Sequence, residues 1–261
     1  MVAVLGTGAR AAGLAGVLGA VDVAGLVVVC AEEHGELAGL LARELGGVDL
    51  VNLTSGTSAE ARQAAELVRA RGGRYLDGAL MAHPEHVGRP ETVLVYSGDA
   101  EVFQRHRAAL ERLGEANYLG VDPGTAALYD LALLNFAWAT LIGYLQTAAL
   151  LDADGVPAAA VTPMLTRWLR STVVEVIEDY ATQLDAGAYP GEQEWLELDA
   201  PLMGNLVQAS AERGLDPGLP RLVESLTARG IAAGFGRDSF ASLVEVIRGS
   251  AAAPVQHRHL A

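Results

Sequence analysis

The sequence predicts an α/β N-terminal half followed by an all-helical C-terminal half, with the division near Gly124. Three observations carry this prediction. Short Val/Leu-rich runs alternate with helical stretches before Gly124, the opening Met1-Val-Ala-Val-Leu-Gly6-Thr-Gly8-Ala-Arg-Ala11 reads as strand, tight turn and helix, and no credible strand follows Gly124.

The first element is a short apolar strand ending at Gly6. Gly6 and Gly8, with Ala11 in the third glycine's place, form a Rossmann-like turn whose backbone N–H groups can approach a pyrophosphate at a helix N-terminus. Taken alone, a Gly-x-Gly-x-x-Ala recurs by chance in a glycine-rich chain. Further strands are expected at 26–30, 50–53, 74–77 and 92–96, and helices at 36–45, 59–71 and 100–113. This alternation implies a mostly parallel sheet with helical crossovers. Beyond Gly124, helical stretches run over roughly 125–152, 158–186, 192–213, 218–234 and 238–248, with Asp154-Gly155, Gly187, Gly214 and Gly234 among the breakers.

The 261 residues, 51% of them apolar, allow one large or two modest domains with a sizeable core. A formal charge of −14 argues against nucleic acid and anionic membrane surfaces, which the mean field would repel. The single Cys30 forbids an intramolecular disulfide, and the N-terminus lacks a basic segment followed by a signal-type apolar stretch, so the expected compartment is the cytoplasm. All 18 basic residues are Arg, which excludes Schiff-base, PLP-lysine and P-loop mechanisms. The Ala-, Arg- and Gly-rich composition points to a GC-rich bacterium and a role in specialised metabolism.

The stretch Leu128 to Leu151 is apolar nearly all round, interrupted by Asp130, Asn135, Thr140 and Gln146. Its length would suit a membrane, but the interruptions favour a soluble helix covered on every side, with a second subunit supplying part of the cover.

Several segments carry a family resemblance: Leu50-Val-Asn-Leu-Thr-Ser-Gly-Thr57, Tyr75-Leu-Asp-Gly-Ala-Leu-Met81, Tyr118-Leu-Gly-Val-Asp-Pro-Gly124 and Leu128-Tyr-Asp-Leu-Ala-Leu-Leu134, then Gln183-Leu-Asp-Ala-Gly-Ala-Tyr189 and Ile231-Ala-Ala-Gly-Phe-Gly236. Together they resemble the imine reductase family over most of the chain. The broader β-hydroxyacid dehydrogenase superfamily uses a catalytic lysine, and its absence here agrees with the imine reductase branch. The resemblance implies a Rossmann domain (1–124), then an interdomain helix and a helical domain (125–261) that interlocks with a partner's to form a homodimer.

The departures from the family pattern concern the cofactor. Imine reductases continue from the first helix into a second strand whose Asn-Arg-Thr-like loop holds the NADPH 2′-phosphate, then a helix, a third strand and a fourth ending in Cys. Here Val4 to Ala20 resembles the first unit and Val21-Asp-Val-Ala-Gly-Leu-Val-Val-Val-Cys30 the approach to the fourth strand. The gap is about thirty residues, one strand–helix–strand unit. The Rossmann-like domain is accordingly expected to be truncated, with no cofactor as the first expectation and NADPH or NADH as the alternative. After Cys30, Glu32 and Glu33 would oppose a pyrophosphate. A reading without the family makes 26–30 the second strand, with Glu32 or Glu33 as the ribose-binding acid of an NADH site, and a right-handed crossover favours that placement.

By resemblance the catalytic acid is Glu175, counted back from Tyr180-Ala-Thr-Gln-Leu-Asp185 with a one-residue offset earlier in the helix. A carboxylic acid there can protonate or hold a C=N nitrogen; the alternative is that Glu175, Glu178 and Asp179 form a solvated acidic face. Asn52, Thr54 and Ser55 end a strand at the carboxyl edge, where ligands of such folds gather, although Thr-Ser-Gly also suits a capped turn. Met81, Trp195 and Met203 are further substrate-binding candidates, Trp195 and Met203 lining the cleft from the partner subunit, although residues of these two types are more often plain core. His83 and His86 flank Pro84 without a nearby third ligand, so no metal is expected; His257 and His259 lie in the terminal tail.

Three functions follow: a non-redox acid/base enzyme performing cyclisation, dehydration or isomerisation of an imine, enamine or amine-bearing small molecule; an NAD(P)H-dependent imine reductase; and a non-catalytic binding subunit.

Overall fold

The computed structural model describes residues 2–6, 8–19, 25–31, 39, 45–81 and 83–249. These fall into two compact units, Met1–Ala139 and Thr140–Ala261. The expected helix at 36–45 lies almost wholly outside the described residues, as do Glu32, Glu33, His257 and His259.

The first unit holds a six-stranded sheet: β1 (Ala3–Leu5), β2 (Leu26–Val29), β3 (Asp49–Asn52), β4 (Arg74–Leu80), β5 (Val93–Gly98) and β6 (Glu115–Tyr118). Its helices are α1 (Gly8–Leu18), α2 (Ser58–Ala70), α3 (Ala100–Leu110) and the start of α4 (Gly124–Asp152). The strands lie side by side in chain order. β1 to β4 are parallel, β5 is antiparallel to β4, and β6 is parallel to β5. The reversal at β5 follows from its connection, which contains only the short 3₁₀ turn Pro84–His86 and no crossover helix. β6 is absent from the strands expected from sequence because Glu115-Ala-Asn-Tyr is too polar to show an apolar period.

Local chemistry sets the helix starts. A capping box opens α2: Thr57 Oγ1 accepts from the Glu60 N–H, and the Glu60 carboxylate accepts from the Thr57 N–H at 2.8 Å. Asp99 opens α3 by accepting from the N–H groups of Glu101 and Val102. The apolar stripe Ala61, Ala64, Ala65 and Val68 then turns α2 toward the sheet.

Side chains alternate along each strand, so the two faces of the sheet can be told apart. On one face, Leu14 and Leu18 of α1 and Val102, Phe103 and Leu110 of α3 pack with Val28, Val51, Leu76 and Tyr96. On the other, Ala64, Ala65 and Val68 of α2 pack with Val29, Leu50 and Tyr75. The steps β1–α1–β2 and β3–α2–β4 both advance in the same direction between parallel strands, yet their helices cover opposite faces. Their crossovers therefore have opposite hands. The step β5–α3–β6, with its strands reversed and its helix on the α1 face, has the same hand as β3–α2–β4. Crossovers of this type are right-handed in about 98% of cases, so β1–α1–β2 is the left-handed one. The right-handed crossover that favoured the alternative reading of 26–30 as the second strand is therefore not the one this step makes.

At the amino end of β3 the buried Asp49 carboxylate accepts from Arg74 Nε, Arg105 Nη1 and His106 Nε2, each at 2.7 Å. Burial pushes this carboxyl up, but the hydrogen bonds from His106, Arg105 and Arg74 together hold it below the usual carboxylate range. The bonds tie β3 to β4 and α3.

The second unit is helical: α5 (Ala158–Trp168), a π turn (Leu169–Val173), α6 (Val174–Ala186), α7 (Leu196–Glu212), α8 (Gly218–Gly230), a π turn (Ile231–Phe235), a 3₁₀ turn (Phe240–Ser242) and α9 (Leu243–Ile247). Gly187, at φ +61°, ends α6 in a left-handed cap. α7 begins four residues later than expected because Trp195, extended at its N-cap, lies outside it. A small core gathers Leu196, Phe235, Leu243 and Val246.

Much apolar surface lies outside these cores. Trp138 is 69% exposed, Leu141 and Leu145 58% each, and Leu202, Leu222, Met164 and Trp168 are also exposed. α4 has a mean hydropathy of 1.4 and is long and apolar enough to cross a membrane. Sedimentation of the detergent-free protein at nanomolar concentration is expected to show a dimer, because a second copy would cover α4. A stable compact monomer, or a species soluble only in detergent, would remove that expectation.

Candidate functional site

Two regions hold the residues expected from sequence, one in each unit. In the first, β1 ends in the turn Gly6–Gly8, with φ of +147° and +83°. A Cβ on Gly6 would collide with the Cys30 carbonyl oxygen, so only glycine lets the turn approach β2 this closely. Ala11 is buried behind it. Arg10 follows in the first turn of α1, its Nη1 3.5 Å from Ser55 Oγ.

The segment after β3 is fixed from within. The Asn52 side chain is fully buried; its Nδ2 donates to Tyr75 OH and Asp77 Oδ1 at 3.0 Å each, and its Oδ1 accepts from the Thr54 N–H at 3.1 Å. Thr54 Oγ1 in turn accepts from the Ala31 N–H at 3.0 Å. Of the three candidates here, Asn52 and Thr54 have their polar atoms engaged internally, and Ser55 is exposed at the carboxyl edge. Met81 is half-buried against Ala79, Val95 and Ala126.

Sequence reasoning missed two buried acids. Asp77 on β4, the register partner of Asn52, is 2% exposed, and Asp130 on α4 is 4% exposed. Tyr75 OH donates to Asp77 Oδ1 at 2.6 Å. Burial pushes Asp77 up to about 7, assisted by the negative charge of Asp130 and opposed by the bonds from Tyr75, Asn52 and the Ala127 N–H. A signal was present, since Asp130 is the one acid within the apolar run Leu128 to Leu151.

In the second unit Glu175 stands exposed in the first turn of α6, directly after the π turn. A π turn holds one residue more than the corresponding α-helical turn. Glu175 lines an open groove of about 710 Å³ with Thr172, Asp179, Tyr180, Glu192 and Glu194. Tyr180 OH donates to Glu194 Oε1 at 2.9 Å, and the Phe240 N–H donates to the same oxygen at 3.1 Å. Burial and a hydrogen bond with Glu194 push Asp199 up to about 6. Trp195 is half-buried with the Arg237 guanidinium 5.5 Å from its ring centroid, and Met203 is half-buried on α7. His83 and His86 meet edge-on at 6.2 Å, and no group of three potential metal ligands occurs among the described residues.

Residues 122–249 match the model of the NADPH-dependent reductive aminase-like C-terminal domain. Across 203 residues, 76% of this chain and 68% of the relative, the sequence is 33% identical to an NADPH-dependent reductive aminase of Aspergillus oryzae. The structure is similar to a reductive aminase from Aspergillus terreus in complex with NADPH and ethyl levulinate, at a TM-score of 0.89 and 29% identity, covering 95% of this chain and 99% of that one. It is also similar to a Streptomyces aurantiacus imine reductase, at a TM-score of 0.87 and 30% identity, covering 94% of this chain and 99% of that one.

The glycine turn supports a paired test. Gly6→Ala should destabilise the protein by about 1–3 kcal/mol through backbone strain and the Cys30 collision, whereas Gly16→Ala, with nothing near its added Cβ, should stabilise α1 by about 0.5–1 kcal/mol. Urea unfolding of both variants measures the contrast, and equal midpoints would refute the geometry.

Proposed function

The chain belongs to the imine reductase and reductive aminase family, and from that premise we propose that it acts on an imine, enamine or amine-bearing small molecule by proton transfer, in a cyclisation, dehydration or isomerisation. The strand order carries this reading. In a doubly wound sheet the dinucleotide lies where the strand order reverses, with adenosine on the half beyond β1. Here the order never reverses among the described residues, and β1 stands at the edge. The face covered by α1 is the one from which a right-handed step would run to the far side of β1, where the described residues hold no strand. This arrangement supports loss of a strand–helix–strand unit after α1, with β2 in the fourth-strand position. The lengths agree, because the same 203 residues are a larger share of this chain than of the Aspergillus oryzae relative.

The residues present fit half of NADPH. Gly6, Gly8 and the N-terminus of α1 suit a pyrophosphate, whereas the side of β1 where the adenosine half would stand holds no strand among the described residues. When bound, the nicotinamide of NADPH supplies a hydride. The proposed reaction uses none. Its acid is Glu175, which in this reading hands a proton to the substrate nitrogen or takes one from it. Cover for α4 comes from a second copy, making the working form a homodimer in the cytoplasm. The retained glycine turn and the NADPH-bound relatives favour a second reading, an imine reductase with a trimmed cofactor site.

Calorimetry separates the two readings. Charge-assisted hydrogen bonds contribute about 1.5–3 kcal/mol each, so losing two weakens NADPH binding by roughly two to four orders of magnitude. Turnover by dialysed enzyme without nicotinamide is expected. Micromolar NADPH affinity with substrate-dependent oxidation of the cofactor would falsify the non-redox reading and restore the reductase.

Glu175→Gln is expected to lower turnover by roughly 10²–10⁴-fold. Since Glu175 is exposed, its unfolding free energy should change by no more than about 0.5 kcal/mol. Unchanged turnover would return Glu175 to the acidic face of α6.

A further inference from the structure

We propose that Tyr180 is a specificity-determining residue of the groove that holds Glu175: its oxygen accepts an N–H from the substrate, so the groove takes a nitrogen that bears a hydrogen. The substrate class is then an iminium or ammonium group with an N–H, rather than a carbonyl compound or an N-substituted imine in its neutral form. This inference rests on the reading given under Proposed function. Its ground is the direction of the hydrogen bonds. Tyr180 lines the groove half-buried, and its hydroxyl carries a single proton. That proton goes to Glu194 Oε1 at 2.9 Å, and the same oxygen accepts from the Phe240 N–H at 3.1 Å. Because a backbone N–H can only donate, Oε1 is the acceptor in both bonds and the tyrosine proton is committed to it. What the Tyr180 oxygen still offers the groove is lone pairs. Burial and the bond to Glu194 push the Tyr180 hydroxyl well above its ordinary value, so it keeps that proton.

The buried floor repeats this polarity. The Asp179 carboxylate accepts from Gln183 Nε2 at 2.7 Å, which orients the buried Gln183 amide and leaves its Oε1 to accept from Ser239 Oγ. The Ser239 hydroxyl proton and an N–H of Gln183 are thereby engaged within the protein. Thr172 and Gln193, the remaining lining residues with a side-chain donor, are exposed, and no arginine or histidine is among the described lining residues. A carbonyl oxygen or bare imine nitrogen entering beside Tyr180 would give up its hydrogen bonds to water and meet another acceptor. An N–H gives up the same bonds and regains one at Tyr180. The carboxylates of Glu175 and Glu192 in the same lining attract any cation, so charge alone does not select for the hydrogen.

The test is calorimetric titration of the full chain with two probes of equal charge: cyclohexylammonium, which has N–H groups, and N,N,N-trimethylcyclohexylammonium, which has none. Wild type should bind the first roughly ten- to a hundredfold more tightly, the worth of a hydrogen bond to a charged group. Tyr180→Phe should lower that ratio by the same factor, because any steric penalty of the methyl groups is common to both proteins. Glu194→Leu frees the tyrosine proton and gives the groove a donor, so there the ratio should fall and the neutral acceptor cyclohexanone should bind more tightly than in wild type. An unchanged ratio in Tyr180→Phe overturns the proposal, as does equal affinity for the two probes, or no measurable binding of either, in wild type. Should Tyr180→Phe not fold, an unchanged ratio in Glu194→Leu overturns it. Since binding is measured without turnover, substrate-dependent oxidation of NADPH would sink the non-redox reading and leave these ratios standing. Turnover without nicotinamide together with unchanged ratios would sink the role of Tyr180 alone.

Discussion

A parallel sheet must be covered on both faces, and the placement of nearly every element in the first unit follows from that requirement. Strands β2 and β3 are buried on both sides, so each face needs a helical layer. α2 supplies one layer, while α1 and α3 share the other. Ordinary chirality would send the chain after α1 to the far side of β1. It turns back instead to β2, leaving α1 as cover for strands that a right-handed step would not have reached. Without Leu14 and Leu18, the α1 face over Val28 and Val51 would lose part of its cover.

The polar chemistry of the sheet is divided between its two ends. At the amino end of β3, Asp49 is surrounded by Arg74, Arg105 and His106, which keep it ionised despite burial. At the carboxyl end of the same pair of strands, Asp77 meets only neutral donors and a second acid. Two aspartates buried to nearly the same degree are thus driven in opposite directions by their partners. A charged acid with three cationic partners suits a structural tie at the amino end of β3.

In the second unit the constraint is surface rather than core. Its buried cluster of Leu196, Phe235, Leu243 and Val246 is small beside the apolar side chains left exposed on α4 through α8. A helical unit of this kind gains much of its burial from contact with another body. The two π turns widen the helices just before α6 and just after α8, and Glu175 stands exposed directly after the first of them.

The sequence by itself determined the class of each half, the glycine turn, the capped starts of α2 and α3, and the family, because these rest on local chemistry and on short motifs. Apolar periodicity, Gly at positive φ, and Thr57 or Asp99 at a helix start need no distant partner to act. The tertiary structure alone decided the hand of β1–α1–β2, the pairing of the polar strand β6, and the internal engagement of Asn52 and Thr54. It also buried both Asp77 and Asp130, acids from distant segments of the chain. The hand of a crossover and the burial of an acid depend on which face and which neighbour a side chain meets, and that is settled only when the elements pack. A single acid in an apolar run can be seen in the sequence, but whether it is buried is decided only by the elements that fold around it.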